Sequence, residues 1–208
     1  MVCVTSSRTY RSELREQQAE RTRLLIARSA RERFLEKGWS GTSVRSVASG
    51  AGVSEATVYH VYGSKAGLAA SLIDAAEESA DVARVVAEMA SFVGDPSAQL
   101  RAFVGFDRRL FERGGDVLRV VAEARRQESD LAAAYEVGRG RGEAQRRRLF
   151  ESWPAKAWAE GVDVQTALDT YAMVVSLEAY DIAVRERGWK PEAVEEWWHR
   201  LLAEQLLR

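Results

Sequence analysis

Side chains able to read a nucleic-acid duplex crowd into residues 42–68, TSVRSVASGAGVSEATVYHVYGSKAGL. Two short amphipathic stretches meet there at Gly52, and Lys65 opens a third. Val44, Val47, Ala48 and Ala51 give the first stretch an apolar face, and Val58 turns inward from the second. Gly52 supplies the backbone freedom that a tight turn needs, and Val53 fills the angle between the two helices. Left on the outer face of the second helix are Glu55, Ala56, Thr57, Tyr59 and His60. Such a set donates and accepts hydrogen bonds and offers a methyl group. The arrangement is a helix-turn-helix that presents one helix to the DNA major groove.

The elements that position this reader are helical throughout the chain. Proline occurs only three times in 208 residues, Ala, Leu, Glu and Arg dominate, and no run alternates long enough for a sheet. The expected fold is all-α, about nine helices: an N-terminal three-helix reader and a C-terminal helical body. Residues 1–19 read as a disordered basic extension, 20–80 as the DNA-binding domain with its motif at about 43–62, and 81–208 as the body. Helix 1 is expected over Glu20–Lys37, with Ile26, Ala30 and Phe34 on its buried face and Gly38 at its end. Ser54 and Ser64 are the expected N-caps of the next helices. One long helix is then expected from Lys65 to about Phe92. A second covers about Ser97–Glu112 before a break at Gly114-Gly115, a short one follows over about Val117–Arg126, and a third long one runs over Ser129–Trp153. The last two are expected over Val164–Arg187 and Pro191–Leu207. Gly138, Gly140 and Gly142 cost the third roughly 1 kcal/mol each relative to Ala.

Composition narrows the function. Residues 1–68 carry 11 Lys and Arg against 6 Asp and Glu, and the remainder 19 against 25, so only the N-terminal part is basic. That asymmetry suits a protein touching a polyanion with one end. The single cysteine, Cys3, excludes an intramolecular disulfide framework and suits a reducing cytosol. The first residues lack the apolar core of a secretory leader, so a cytoplasmic location is expected. No stretch approaches the roughly 18 apolar residues of a membrane span. With two histidines and one cysteine, a metal site is not expected. Neither His60 nor His199 sits in a triad setting, so no catalytic residue is assigned and no enzyme is expected.

Residues 34–68 resemble the TetR family of one-component transcriptional regulators. The family pattern is F-x-x-x-G, then T-[ST]-V-x-x-[IV]-A-x-x-A-G-V-S-x-x-T-[VL]-Y-x-x-F-x-[SN]-K-x-x-L. Here it runs Phe34 to Gly38, Thr42-Ser43-Val44, Val47-Ala48, Ala51-Gly52-Val53-Ser54, Thr57-Val58-Tyr59, Tyr62, Ser64-Lys65 and Leu68. Tyr62 replaces the usual Phe, and Glu55 puts an acid where many members carry a basic or small residue. The resemblance implies phosphate contacts from Tyr59 and Lys65, and helix caps at Thr42, Ser43 and Ser54 that can also meet the DNA backbone. It implies base contacts from Arg45, Thr57 and His60, with Arg45 directed to a guanine, and Ala56 meeting a thymine methyl. Glu55 either accepts from a cytosine amino group or repels wrong sites.

The body resembles the family only in layout. Val194, Trp197, Trp198, Leu201, Leu202 and Leu206 form one stripe on the last helix, and residues 171–177 are apolar nearly all round. A helix apolar on every side must be covered on every side, which with Val175 points to a homodimer interface of the last two helices. The resemblance also implies a cavity for a small-molecule effector. Its expected lining is Phe103, Phe106, Asp107, Leu110, Val121, Trp153, Trp158, Tyr171 and Val174, with Asp107 as polar anchor. No cofactor is expected. The sequence therefore reads as a repressor released from an inverted-repeat operator by an apolar or aromatic molecule. The alternatives are a DNA-binding protein governed by a protein partner and, behind it, an all-helical enzyme.

Overall fold

The structure is a computed structural model that describes residues 6–126 and 128–208, and the side chains of 14–126, 128–133 and 135–208. The chain divides into two compact units, Met1–Leu72 and Ile73–Arg208. The division falls inside a helix, earlier than the boundary at 80/81 expected from sequence.

In the first unit, α1 (Ser6–Lys37), α2 (Val44–Ala51), α3 (Glu55–Tyr62) and the start of α4 (Lys65–Ser79) surround a small core. Ile26, Ala30, Phe34, Trp39, Val47, Ala48, Val58 and Leu68 are buried in it. The Phe34 and Trp39 rings stack with centroids 5.3 Å apart. Helix α1 begins well before Glu20. The extension expected to be disordered is therefore helical from Ser6, while Met1 to Thr5, Cys3 included, lies outside the described residues. A helix whose early turns carry Arg and Glu needs no apolar stripe to persist, which is why periodicity alone placed its start too late.

The second unit is also helical: α5 (Val82–Ser91), α6 (Pro96–Ala124), α7 (Ser129–Ser152), α8 (Val164–Val174), α9 (Leu177–Asp181) and α10 (Pro191–Leu206). No strand occurs among the described residues. One isolated antiparallel bridge, Trp158 with Leu207, ties the chain end to the turn after α7. Phe150, Trp153, Trp158, Leu168, Tyr171, Tyr180, Val194, Trp198, Leu202 and Leu206 form the core.

Three expected helices are divided differently. The long helix after Lys65 breaks at Asp81, a non-glycine residue at φ 67°, whose carboxylate accepts the Arg84 N–H at 3.1 Å and starts α5. The expected helix over Val164–Arg187 breaks at Ser176, whose extended backbone and hydroxyl cap α9 by accepting the Ala179 N–H at 3.1 Å. A π turn, Ile182–Glu186, follows. Conversely, α6 runs unbroken through Gly114-Gly115. There the glycines serve packing: a Cβ on Gly114 would lie 2.4 Å from the Ala76 methyl.

Gly114 and Gly140 should therefore respond oppositely to alanine. Gly114→Ala forces α4 from α6 and should cost about 1–3 kcal/mol. Nothing lies within 4 Å of a Cβ on Gly140, so Gly140→Ala should stabilise by about 1 kcal/mol. Thermal unfolding of the two variants checks the pair, and a stable Gly114→Ala would refute the packing role.

Candidate nucleic-acid interface

Serine caps fix the reader. The Ser43 side chain accepts the Ser46 N–H at 3.1 Å, and Ser46 Oγ lies 3.2 Å from the Ser43 N–H, a reciprocal cap that starts α2. At the far end of α2, Gly52 takes a left-handed conformation, φ 68°, that a side chain would strain. Ser54 then accepts the Thr57 N–H at 3.1 Å and starts α3. Helix α2 seats closely on α1. Ser29 Oγ donates to the Val47 carbonyl at 2.9 Å, and a Cβ on Gly50 would lie 2.4 Å from that same hydroxyl.

The outer face of α3 stays open within this unit. Tyr59 is 49 % exposed, and Ala56 and His60 are exposed beside it. Thr57 is half-buried, its hydroxyl 2.8 Å from that of Ser54. Arg45, exposed on α2, reaches across to α3, where its Nε donates to Glu55 Oε1 at 2.8 Å. The Glu55 hydrogen bond, and then its charge, hold the Arg45 guanidinium above its already high ordinary value. Two base-reading candidates named separately from the sequence are thus one ion pair.

Two other residues expected to meet phosphate are engaged inside the protein. Thr42 is buried, with Oγ1 2.9 Å from the carbonyls of both Arg33 and Gly38, so it closes the end of α1 and is not placed to meet DNA. The half-buried Lys65 ammonium donates to the Trp39 carbonyl at 2.5 Å and sits 4.1 Å from the centre of the Trp39 ring. Lys65 and Trp39 lie 26 residues apart in sequence, which is why spacing could not expose this contact.

Residues 26–72, which carry this geometry, match the family described as bacterial regulatory proteins, tetR family. Over these residues the chain is similar to the DNA-binding part of TetR-family regulators. A search of curated proteins finds no match. Solved structures of this TetR-family fold cover nearly the whole chain. NalD, the secondary repressor of the MexAB-OprM multidrug efflux pump in Pseudomonas aeruginosa, is 22 % identical at TM-score 0.71, over 92 % of this chain and 98 % of that one. The TetR-family transcriptional regulator PfmR from Thermus thermophilus is 24 % identical at TM-score 0.61, over 88 % and 99 %. The flavonoid-responsive regulator FrrA is 26 % identical at TM-score 0.63, over 90 % and 98 %.

In the body, the candidate effector residues separate into groups. Trp153, Trp158 and Tyr171 are buried against Phe150. Ring centroids are 5.0 Å apart for the two tryptophans and 4.8 Å for Phe150 with Trp153. Val121 is buried, while Phe103, Phe106, Leu110 and Val174 are half-buried. Asp107 is buried and doubly engaged. Its Oδ2 accepts the Tyr171 hydroxyl at 2.7 Å and the Arg146 guanidinium at 3.2 Å. Burial pushes the Asp107 carboxyl up, opposed by Arg146 and Tyr171, and pushes the Tyr171 hydroxyl well up. Arg146, not among the residues expected there, also lies 4.9 Å from the Tyr171 ring centre and brings a second charge to the aromatic group. Gln99, which accepts the Trp153 indole N–H at 2.7 Å, was also missed. It shares the helical spacing of Phe103 and Asp107, so the signal was present in the sequence.

The expected dimer residues also divide. Val194, Trp198 and Leu202 have no exposed surface within one chain, and Val175 is buried too. Trp198 packs edge-on to Phe111 at 6.2 Å and near Tyr180 at 6.3 Å. Their assignment to an interface is corrected, since a side chain already enclosed has no area left for a partner. Trp197 is exposed, and Leu201 is half-buried.

Lys65 and the α3 residues should therefore separate in the test tube. Lys65→Ala loses a hydrogen bond and a cation–π contact and should cost about 1 kcal/mol in a denaturant titration. Tyr59→Ala and His60→Ala should stay within about 0.5 kcal/mol of the parent, yet weaken retention of duplex DNA in a gel shift. Equal stability losses for all three would contradict the division. In the body, Arg146→Met and Asp107→Asn each leave the other member of a largely buried pair without its counter-charge, and each should cost on the order of 3 kcal/mol at pH 7. Because burial raises the Asp107 pKa, any stability tied to its titration is greatest at low pH and falls as pH rises past its unfolded value.

Proposed function

We propose that this DNA-binding regulator is a repressor that binds an inverted-repeat operator as a homodimer and leaves it when a small apolar or aromatic molecule binds the body. The observation that carries the reading is the open, polar outer face of α3, held by caps and a glycine turn on a core that leaves it unpacked. A helix so presented enters a major groove, and a two-fold pair of them asks for two half-sites. Repression is in keeping with NalD, described as a repressor, and an aromatic effector with FrrA, described as flavonoid-responsive. No helix of the described residues is long and apolar enough to cross a membrane, in keeping with action in the cytoplasm.

Support for pairing comes from apolar side chains left uncovered in the second unit. Met173 is 74 % exposed, Ile182 49 % and Trp189 43 %. Trp197, at 37 %, meets Trp189 edge-on at 5.9 Å. Large exposed apolar groups on adjoining segments are expected where a second chain docks. The effector would enter beside the Asp107–Arg146–Tyr171 group, the polar anchor in an apolar and aromatic setting. A change there would shift the population of reader conformations, with α4 as the connecting element. A second reading, control by a protein partner without a small molecule, is favoured by one observation. Phe150, Trp153 and Trp158 already fill one another's surroundings.

Two experiments check this function. Sedimentation velocity should show Trp197→Glu combined with Met173→Glu as a folded monomer with weakened DNA binding, and a variant that still sediments as a dimer would remove this interface. Trp198→Ala should instead cost about 3–5 kcal/mol as a core cavity. A panel of planar aromatic compounds, flavonoids included, should contain members that raise the melting temperature and release bound duplex with one shared Kd. Compounds that stabilise without releasing DNA would favour the protein-partner reading.

A further inference from the structure

We infer that Glu55 is a positioning residue for base recognition: it holds Arg45 by Nε so that the two terminal guanidinium nitrogens face outward as a fork for a guanine. The inference rests on the DNA-reading function of α2 and α3 and deepens it by assigning one contact of the reader. Glu55 is the first residue of α3, where the helix dipole favours a carboxylate. Its Oε1 accepts from Arg45 Nε at 2.8 Å across the angle of the helix-turn-helix. Nε lies on the side edge of the guanidinium, away from the terminal pair. A carboxylate bound there restrains the long arginine side chain without occupying the edge that makes bidentate bonds to guanine O6 and N7. The carboxylate lies 42 % exposed and the arginine 84 % exposed, so the pair contributes little to stability by itself. Its consequence is orientational: an arginine already held in place loses less rotamer freedom on meeting a base.

Glu55 also carries a charge of the wrong sign for a phosphate backbone. Removing it should therefore raise affinity for DNA in general while lowering preference at one base pair. A residue that merely repelled DNA would give the first effect without the second. A residue that read its own cytosine would lose preference at a position Arg45 does not control.

The experiment uses the full chain and a duplex selected by it from a randomised library, together with every single-base variant of that duplex and one mixed-sequence duplex. Glu55→Ala should lower the guanine preference at one position of each half-site by roughly tenfold, the scale of one lost bidentate contact. Arg45→Ala should lower it at the same position, and the double variant should be no worse there than Arg45→Ala alone. Glu55→Gln keeps an acceptor for Nε and should recover part of the preference. Both Glu55 variants should bind the mixed-sequence duplex at least as tightly as the parent. A Glu55→Ala variant that keeps full preference, or loses it at a base pair untouched by Arg45→Ala, overturns the assignment. A parent chain that selects no sequence at all overturns instead the DNA-reading function on which it stands.

Discussion

Helix α3 goes where the seat of α2 on α1 sends it. The Ser29 hydroxyl bonds the Val47 carbonyl at 2.9 Å, and at position 50 only glycine fits beside that hydroxyl. With α2 fixed, the left-handed turn at Gly52 and the cap at Ser54 leave one direction for α3. Val58 then completes the core, and the residues between its inward turns face outward. Helix α3 has only eight residues and is too short to persist alone in water, so its orientation is a property of these contacts rather than of its own sequence.

The same logic separates reading from support among polar residues that look alike in the sequence. Thr42 and Ser43 are neighbours, yet one bonds two carbonyls at the end of α1 and the other caps α2. Lys65 and Arg45 are both cations of the motif. One lies on the Trp39 ring, while the other stands in solvent with a carboxylate at its side. A cation bound by an indole and a carbonyl contributes first to the fold; one held by its Nε alone keeps donors for a ligand.

How much was legible in the sequence follows from the range of the interactions involved. The cap at Ser54 and the turn at Gly52 depend on residues a few positions apart and could be read directly, while the cap of α2 was legible only as Thr42 or Ser43. The break at Asp81 and the continuity through Gly114-Gly115 depend on how α4 meets α6, where Arg109 Nε donates to the Ala80 carbonyl at 2.8 Å and Arg113 bonds that of Ser79. Two arginines satisfying the last carbonyls of α4 make a termination that no local signal records. The stripe of α10 was visible, but its partner was not. Trp198 and Leu202 face the core of their own chain, while Trp197, one residue around the helix, reaches the surface and Leu201 does so in part. In the aromatic group, residue type suggested a cavity lining, while ring distances near 5 Å describe side chains packed on each other.

DNA recognition turns on the outer face of α3 being the surface that meets the duplex, and hydroxyl-radical footprinting of the protein tests this most directly. Tyr59 and His60 are exposed and chemically reactive, and Phe92 provides an exposed aromatic control in the body. On addition of a duplex retained by the chain, oxidation of Tyr59 and His60 should fall several-fold while that of Phe92 is unchanged. Undiminished oxidation of Tyr59 and His60 in a chain saturated with duplex would contradict this role for α3.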